Sequence, residues 1–375
     1  MKKVFYFAAV CAALVGCAKV ELKDNYTPKP IVFNSPVVGT STKAAIADND
    51  YPTTIPFSVW ALFSPTMLAG TLPEELLATQ VEYLSHVPFS YNDNGTHPAY
   101  VNAGAFWPKR DGYLTFKALS PATVYSPYNP TLGWTFSSRG FTIPNYVVNQ
   151  DDLMYSNYSF DNVADDDIET NKSEESTIHD DYEGYDIAFN HALASIRFAV
   201  KLAATDNTNT KYQITSVKLY NHRTQGTFTE RNADASKWSG QAAAVVEGSA
   251  VTIYDSSVKA LTDVPIDGSS LDLFNGAAGQ YLVLPQDLNY TDTSPNDTFV
   301  MVEIAYTEKI GSLDAVSITP VKIKLHGLLD SGSSAVNTWL PNRRYTYTIV
   351  IDRQQIRLDP AVANWTDVAV TGPTI

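Results

Sequence analysis

Residues 196–201 read Ile-Arg-Phe-Ala-Val-Lys, and residues 345–351 read Tyr-Thr-Tyr-Thr-Ile-Val-Ile. In both stretches a large apolar side chain recurs at every second residue, which is the spacing of one face of a β-strand. In the first stretch these side chains belong to Ile196, Phe198 and Val200. The two stretches therefore predict strands that each turn one face towards a core.

Similar alternation, or a short apolar run between turn residues, recurs along the chain. We predict further strands at residues 31–33, 57–63, 113–118, 141–148, 187–189, 214–220, 281–284, 299–306, 321–325 and 368–370. Helical periodicity is nearly confined to residues 73–84, where Leu76, Leu77 and Leu84 would line one face of a short helix that begins at Pro73. The pattern predicts an all-β protein of the β-sandwich type with little helix.

An acidic stretch divides the chain into two parts of ordinary domain size. Residues 161–186 are rich in Asp and Glu and poor in large apolar residues, so they cannot bury a core. We predict an N-terminal β-sandwich domain at 45–165, an acidic linker at 166–186 and a C-terminal β-sandwich domain at 187–375.

The first residues have the organisation of a signal peptide. Lys2 and Lys3 precede an apolar run over residues 5–15, which is too short to anchor the chain across a bilayer. The run ends in the lipobox Leu-Val-Gly-Cys at residues 14–17. We predict a signal peptide at 1–16, lipidation of Cys17, and attachment of the mature protein to the outer membrane through that lipid.

Composition excludes several kinds of function. Both cysteines, Cys11 and Cys17, lie in this region, so the mature body has no disulfide and no cysteine-based site. The formal net charge is −14, and removal of Lys2 and Lys3 makes it −16. Such a surface is unsuited to nucleic acid, which needs clustered Lys and Arg.

No motif typical of an enzyme is present. The sequence lacks a phosphate-binding loop, a nucleophile elbow and paired metal-binding histidines. His191 precedes an apolar stretch and is interpreted as a structural histidine, although a triad of residues distant in sequence stays open. Residues 161–167 could attract calcium but lack the spacing of an EF-hand loop. We expect no metal, no cofactor and no enzymatic activity.

Aromatic residues near turn-forming segments suggest an alternative function. Stacking on sugar rings would make the chain a surface glycan-binding lipoprotein, if these rings are exposed rather than packed in the core. The residues are Tyr91, Tyr100, Trp107, Tyr125, Tyr128 and Trp134.

Several short motifs, taken in order, resemble the fimbrillin family of pilus subunits and related surface lipoproteins. After the lipobox come Ile31-Val32-Phe33, Thr42-Lys43-Ala44, Phe106-Trp107-Pro108, the run from Tyr113 to Pro121, the run from Phe189 to Phe198, Val283-Leu284-Pro285-Gln286, Trp339-Leu340-Pro341-Asn342, Tyr345-Thr346-Tyr347, Pro360 and Trp365. The resemblance implies two transthyretin-like β-sandwich domains, other pilus subunits as partners, a location at the cell surface or in a fimbrium, and contacts with host or bacterial surface ligands.

The resemblance also implies a mechanism of assembly by strand exchange. A protease cuts within the lipidated N-terminal segment, residues 17–44, and removes the lipid together with the first strand, Ile31 to Phe33. A terminal strand of a neighbouring subunit then fills the groove, and Val368 and Val370 mark a candidate donor. The family's usual cleavage follows Arg, whereas the first Arg here is Arg110 and the matching position is Lys43, before Ala44. Either a protease accepts Lys43, or the subunit stays lipidated.

Overall fold

The computed structural model describes most of the chain in segments. They are residues 30–38, 51–65, 81–93, 98–108, 113–122, 135–137, 140–149, 151–156, 185–203, 209–230, 237–240, 250–257, 263–274, 280–289, 299–330, 332–352 and 356–364. Every regular element in these segments is a β-strand. Within them, no helix is long and apolar enough to cross a membrane.

The strands are numbered in chain order. They are β1 Pro30–Phe33, β2 Val37–Val38, β3 Phe57–Ser64, β4 Val81–Asn92, β5 Ala99–Phe106, β6 Tyr113–Ser120, β7 Thr135–Ser137, β8 Gly140–Val147, β9 Met154–Ser156, β10 Ala188–His191, β11 Ala194–Leu202, β12 Thr210–Tyr220, β13 Gln225–Thr229, β14 Trp238–Ser239, β15 Val251–Asp255, β16 Leu271–Asp272, β17 Tyr281–Val283, β18 Gln286–Asp287, β19 Met301–Ile310, β20 Val316–Lys324, β21 Leu328–Leu329, β22 Ala335–Val336, β23 Thr338–Trp339, β24 Arg343–Ile351 and β25 Ile356–Asn364.

The N-terminal half is built on a sheet of eight strands in the order β1-β5-β4-β3-β6-β9-β10-β2. Its two outermost strands, β1 and β2, are neighbours in the chain, so the sheet curls round until its edges almost meet. The enclosed core is rich in aromatic rings, and Phe33, Phe57, Phe89 and Phe116 are all fully buried. Residues 188–191, which the sequence analysis assigned to the second domain, form strand β10 of this sheet.

The C-terminal half is a β-sandwich. One sheet has the order β16-β11-β24-β25 with β17 also paired to β11, and the other has the order β15-β12-β19-β20. Strands β11 and β24 run parallel from the pair Ser195 and Arg344 to the pair Leu202 and Ile351. Both strands are buried almost along their whole length, as expected for parallel strands in the middle of a sheet.

A four-stranded antiparallel sheet joins the two halves. Its order is β14-β13-β8-β7, and β8 of the N-terminal half pairs with β13 of the C-terminal half. A separate core beneath it buries side chains from both halves, including Trp60, Phe141, Phe228 and Trp238. The halves are therefore joined by backbone hydrogen bonds as well as by apolar packing.

A buried ion pair crosses the same junction. Lys117 of β6 is 1% exposed, and its Nζ donates to a carboxylate oxygen of Glu230 and to the backbone oxygen of Ser156. The other oxygen of Glu230 accepts from the backbone N–H of Phe141 at 3.1 Å. Gly140 has φ +91°, and a Cβ there would lie 2.3 Å from that oxygen, so glycine is required beside the carboxylate.

The all-β prediction is confirmed, whereas the predicted helix at 73–84 is wrong where it can be compared. Residues 81–84 belong to strand β4, and residues 73–80 lie outside the described segments. The pairing register between β4 and β3 shifts at Ser85 and His86 of β4, and the backbone φ angle of His86 is 54°. This bulge interrupts the alternation by which the strand would have been recognised.

Candidate assembly site

One short segment closes the N-terminal sheet at both edges. Residues 30–38, the closing segment, contain β1, which pairs with β5, and β2, which pairs with β10. Residues 34–36 lead from one edge to the other. Loss of this segment alone would open a groove between β5 and β10.

Backbone hydrogen bonds hold the first part of the closing segment on two sides. On one side Phe33 lies opposite Tyr100 in an antiparallel ladder. On the other, the N–H of Tyr185 donates to the oxygen of Val32 at 2.8 Å, and the N–H of Asn34 donates to the oxygen of Tyr185 at 3.1 Å. The segment is therefore an inserted strand rather than a free edge.

The second part of the closing segment is held by β10. Val37 and Val38 pair in parallel with Ala188 and Phe189. The side-chain amide of Asn34 also donates to a carboxylate oxygen of Asp186 at 2.9 Å. Both sides of the groove thus contact the segment through groups that a replacement strand could satisfy.

Among the side chains of the closing segment whose burial the structure describes, those of Ile31, Phe33, Pro36 and Val38 are buried. The ring of Phe33 meets four others edge to face, with centroids 4.8–6.3 Å apart; they belong to Phe57, Phe89, Phe116 and Tyr185. Such pairs contribute about 0.5–1.5 kcal/mol each beyond the burial of their area. Phe33 is thus the main side-chain anchor of the segment.

Tyr51 fixes the chain beyond the closing segment. Its side chain is 1% exposed, its ring stacks on that of Phe189 with centroids 5.2 Å apart, and its hydroxyl is hydrogen-bonded to Ser120. Burial raises the pKa of Tyr51, so the phenol is neutral at physiological pH. Its N–H donates to the oxygen of Pro36 at 3.2 Å. The side chain lies downstream of Lys43 and would remain after cleavage there.

The predicted site residues fall into two groups. Ile31, Val32 and Phe33 form the inserted strand, with Ile31 and Phe33 inward. The residues that lie outside the described segments are Cys17, Lys43, Ala44, Val368 and Val370.

Pro36, Val38 and Tyr51 belong to the site but were not predicted. The pair Val37–Val38 is too short to show a strand period, so its pairing with β10 left no periodic signal. The burial of Tyr51 depends on contacts with residues distant in sequence, which a local pattern does not report.

The aromatic residues proposed to bind glycans are packed where the structure describes them. Tyr100 is fully buried, so its ring is packed in the core and is not available to stack on a sugar. Tyr91 packs against Tyr100 with ring centroids 5.5 Å apart, and Trp107 packs against Phe116 at 5.8 Å. Tyr125, Tyr128 and Trp134 lie outside the described segments.

The buried histidine of strand β10 has a structural partner. His191 is 1% exposed, and its Nδ1 lies 2.7 Å from a carboxylate oxygen of Asp152. Across the described segments, no three His, Cys, Asp or Glu side chains are arranged to hold a metal ion.

The described segments define an all-β protein of the β-sandwich class whose N-terminal sheet is closed by one short segment. The sequence profile described as fimbrillin-like matches residues 42–365, and the chain therefore belongs to the fimbrillin-like family. Fimbrillin-like proteins are a structural, fimbrial family and not a family of enzymes, as the sequence analysis expected.

Two solved fimbrial structures are similar to the chain at low sequence identity. A fimbrial protein from Bacteroides vulgatus is 14% identical with a TM-score of 0.52, over 89% of this chain and 99% of the other. The tip fimbrial protein Mfa3 from Porphyromonas gingivalis is 11% identical with a TM-score of 0.35, over 83% of this chain and 94% of the other. The first likeness shows a shared fold. No curated protein sequence matches the chain significantly.

Proposed function

We propose that this fimbrillin-like protein is a pilus subunit that is exported as a lipoprotein on Cys17 and assembles by strand exchange. Cleavage between Lys43 and Ala44 would release the lipid together with the closing segment. A strand from another subunit would then occupy the vacated groove. The observation that carries this proposal is that residues 30–38 alone cover both edges of the N-terminal sheet.

The energetics favour capture of a strand by an emptied groove. Loss of the closing segment would expose the pockets of Ile31, Phe33 and Val38, and burial of such side chains contributes about 1.5–3 kcal/mol each. It would also leave backbone groups of β5 and β10 without partners. An incoming strand restores both the apolar burial and the hydrogen bonds.

The sequence around the proposed cleavage site suits a protease. Residues 39–44 read Gly-Thr-Ser-Thr-Lys-Ala, and small polar residues of this kind are preferred at sites of proteolytic nicking. Because Tyr51 is anchored in the core, the new N-terminus would stay attached to the sandwich after the cut.

The test is treatment of the purified, unlipidated chain with trypsin, followed by N-terminal sequencing and electron microscopy. We expect a cut after Lys43 and ordered polymers, no polymers from Lys43→Gln, and unchanged assembly of Lys43→Arg. A clean cut at Lys43 that leaves a monomer at high concentration would contradict strand exchange.

Lipidation is tested separately in cells. Incorporation of a labelled fatty acid should be lost in Cys17→Ala, with Cys11→Ala as the matched control. Equal labelling of Cys17→Ala would exclude the proposed anchor.

A further inference from the structure

Two groups of large apolar side chains are exposed among the described residues. They are the head patch in the N-terminal half, formed by Val81, Tyr83 and Phe106, and the tail patch in the C-terminal half, formed by Ile310, Leu313 and Val316. Val81 and Leu313 are each 65% exposed. Single exposed apolar residues are common on soluble proteins, whereas groups of them mark surfaces that a partner covers.

The head patch lies at the end of the N-terminal sheet that is remote from the C-terminal half. Paired residues connect Ser58 of β3, across β6 and β9, to Asn190 of β10, just before the chain enters the C-terminal half. Val81 lies opposite Phe63, which is five residues and about 17 Å further along β3. The patch is therefore separated from the junction of the halves by most of the length of the sheet.

The members of the head patch are neighbours, and they adjoin the assembly groove. The hydroxyl of Tyr83 donates to the backbone oxygen of Phe106 at 2.7 Å, and Val81 is two residues before Tyr83. Phe106 also lies opposite Pro30, the first residue of the closing segment. The head patch is thus continuous with the surface at which we propose that subunits meet.

The tail patch lies at the end of the C-terminal sandwich that is remote from the N-terminal half. Strand β12 ends at Tyr220, and residues 221–224 lead from it into β13 of the sheet that joins the halves. Ile310 lies opposite Thr210, which is ten residues and about 33 Å back along β12. The N–H of Leu313 donates to the oxygen of Ile310 at 3.0 Å, so both residues are held in the turn between β19 and β20.

Each patch continues a row of core side chains past the end of its sandwich. In β19, Val302 and Ile304 are fully buried, and Ile310 lies on the same face because side chains alternate along a strand. In the N-terminal half, Val81 shares a face with Phe63 opposite it, and Phe63 packs against the core. Both patches are therefore ends of a core that its own sandwich leaves uncovered.

We infer that the head patch of one copy of this chain packs on the tail patch of the next copy. One such contact covers a patch of each kind and leaves the other two at the ends of the pair, so it extends into a fibre. A head-to-head contact would leave both tail patches exposed. The inference rests on the proposed assembly of the chain into a fibre, and it adds a contact between subunits that involves no exchanged strand.

The end-to-end contact is weak by itself. Stable interfaces bury about 800 Å² on each partner, which is more than three partly exposed side chains supply. Between intact chains it should therefore be detected as frequent proximity of the two ends rather than as a stable dimer.

The experiment measures cross-linking between uncut chains, so that strand exchange does not contribute. The starting protein is the unlipidated chain from residue 17 with Cys17→Ala and Lys43→Gln, which has no cysteine. Ser85→Cys places a thiol beside the head patch, Ser312→Cys places one beside the tail patch, and Ser239→Cys in β14 is the control; all three serines are exposed. A short bismaleimide reagent joins the thiols of two differently tagged proteins, and gel electrophoresis gives the rate at which each mixed product forms.

We expect Ser85→Cys to be linked to Ser312→Cys about tenfold faster than either is linked to Ser239→Cys. Adding Leu313→Ser to the Ser312→Cys protein should remove this excess, whereas Leu329→Ser, at a similarly exposed leucine outside both patches, should preserve it. Equal rates for the three pairs, an excess that survives Leu313→Ser, or faster linking of Ser85→Cys to itself would each overturn the end-to-end contact. Because no chain is cut, the trypsin experiment above tests strand exchange independently of these results.

Discussion

Phe33 is the residue on which closure of the N-terminal sheet most depends. Phe33→Ala removes a fully buried ring from among four others and should lower the free energy of unfolding by about 3–5 kcal/mol. Val32→Ala, on the half-buried face of the same strand, should cost less than about 1.5 kcal/mol and is the matched control. Urea denaturation measures the free energy of unfolding of both variants. Equal losses for the two would show that Phe33 is not the anchor.

His222 should make stability depend on pH. It is 1% exposed, and neither ring nitrogen has a hydrogen-bond partner among the described residues. Burial lowers the pKa of His222 to about 4, against 6.5 when unfolded, so its ring is neutral in the fold. As pH falls from 6.5 towards 4 the unfolded state gains a proton that the folded state does not, and stability falls by up to about 3 kcal/mol.

The control for His222 is His222→Leu, which removes the titrating group. The difference in unfolding free energy between this variant and the wild type should grow in favour of the variant between pH 6.5 and 4. A constant difference over that range would show that His222 is not the cause. Burial also lowers the pKa of His86, but this residue is present in both proteins, so its contribution cancels in the difference.

At the scale of elements, the strands β6, β8 and β13 are locked by the pair Lys117 and Glu230. Lys117→Met leaves a buried carboxylate without its cation and should cost about 3–5 kcal/mol. The double variant Lys117→Met with Glu230→Gln removes the charge but keeps an acceptor for the N–H of Phe141, and it should recover at least half of that loss. Thermal unfolding of the wild type and the two variants measures these losses. A double variant that is no more stable than Lys117→Met would contradict the explanation based on an unpaired charge.

Several of the elements that sequence patterns predicted have apolar side chains along one continuous face. Strands β3, β6, β11 and β24 were found because their apolar side chains recur with period two. Strand β25 was missed because it contains Pro360 and has few inward apolar residues. Proline is tolerated there because β25 is the last strand of its sheet.

The assembly site could be predicted in part for similar reasons. Ile31, Val32 and Phe33 have a strand pattern, so local sequence was sufficient to find them. The second half of the closing segment is defined by pairing with β10, which is about 150 residues away in sequence. Local sequence does not encode such a pairing, and the role of Pro36 became apparent only from the fold.

For the whole molecule, we predict that a break in the acidic stretch does not separate the halves. A site-specific protease sequence inserted between Glu174 and Glu175 should be cut, since this stretch is polar and rich in charge. The fragments should still co-elute in size-exclusion chromatography, because β8 pairs with β13 and a common core lies beneath them. Elution as two separate species without denaturant would show that the halves are independent.

The connection between β10 and β11 has a consequence for the stiffness of a fibre. Ala192 and Leu193 link the two strands and are fully buried. The oxygen of Ala192 accepts from the indole N–H of Trp238 at 2.7 Å, and the oxygen of Leu193 accepts from the N–H of Asn342 at 3.1 Å. A joint held in this way does not act as a hinge, so a polymer of these subunits would bend between units rather than within them. Its persistence length would then be set by the exchanged strand and not by the subunit.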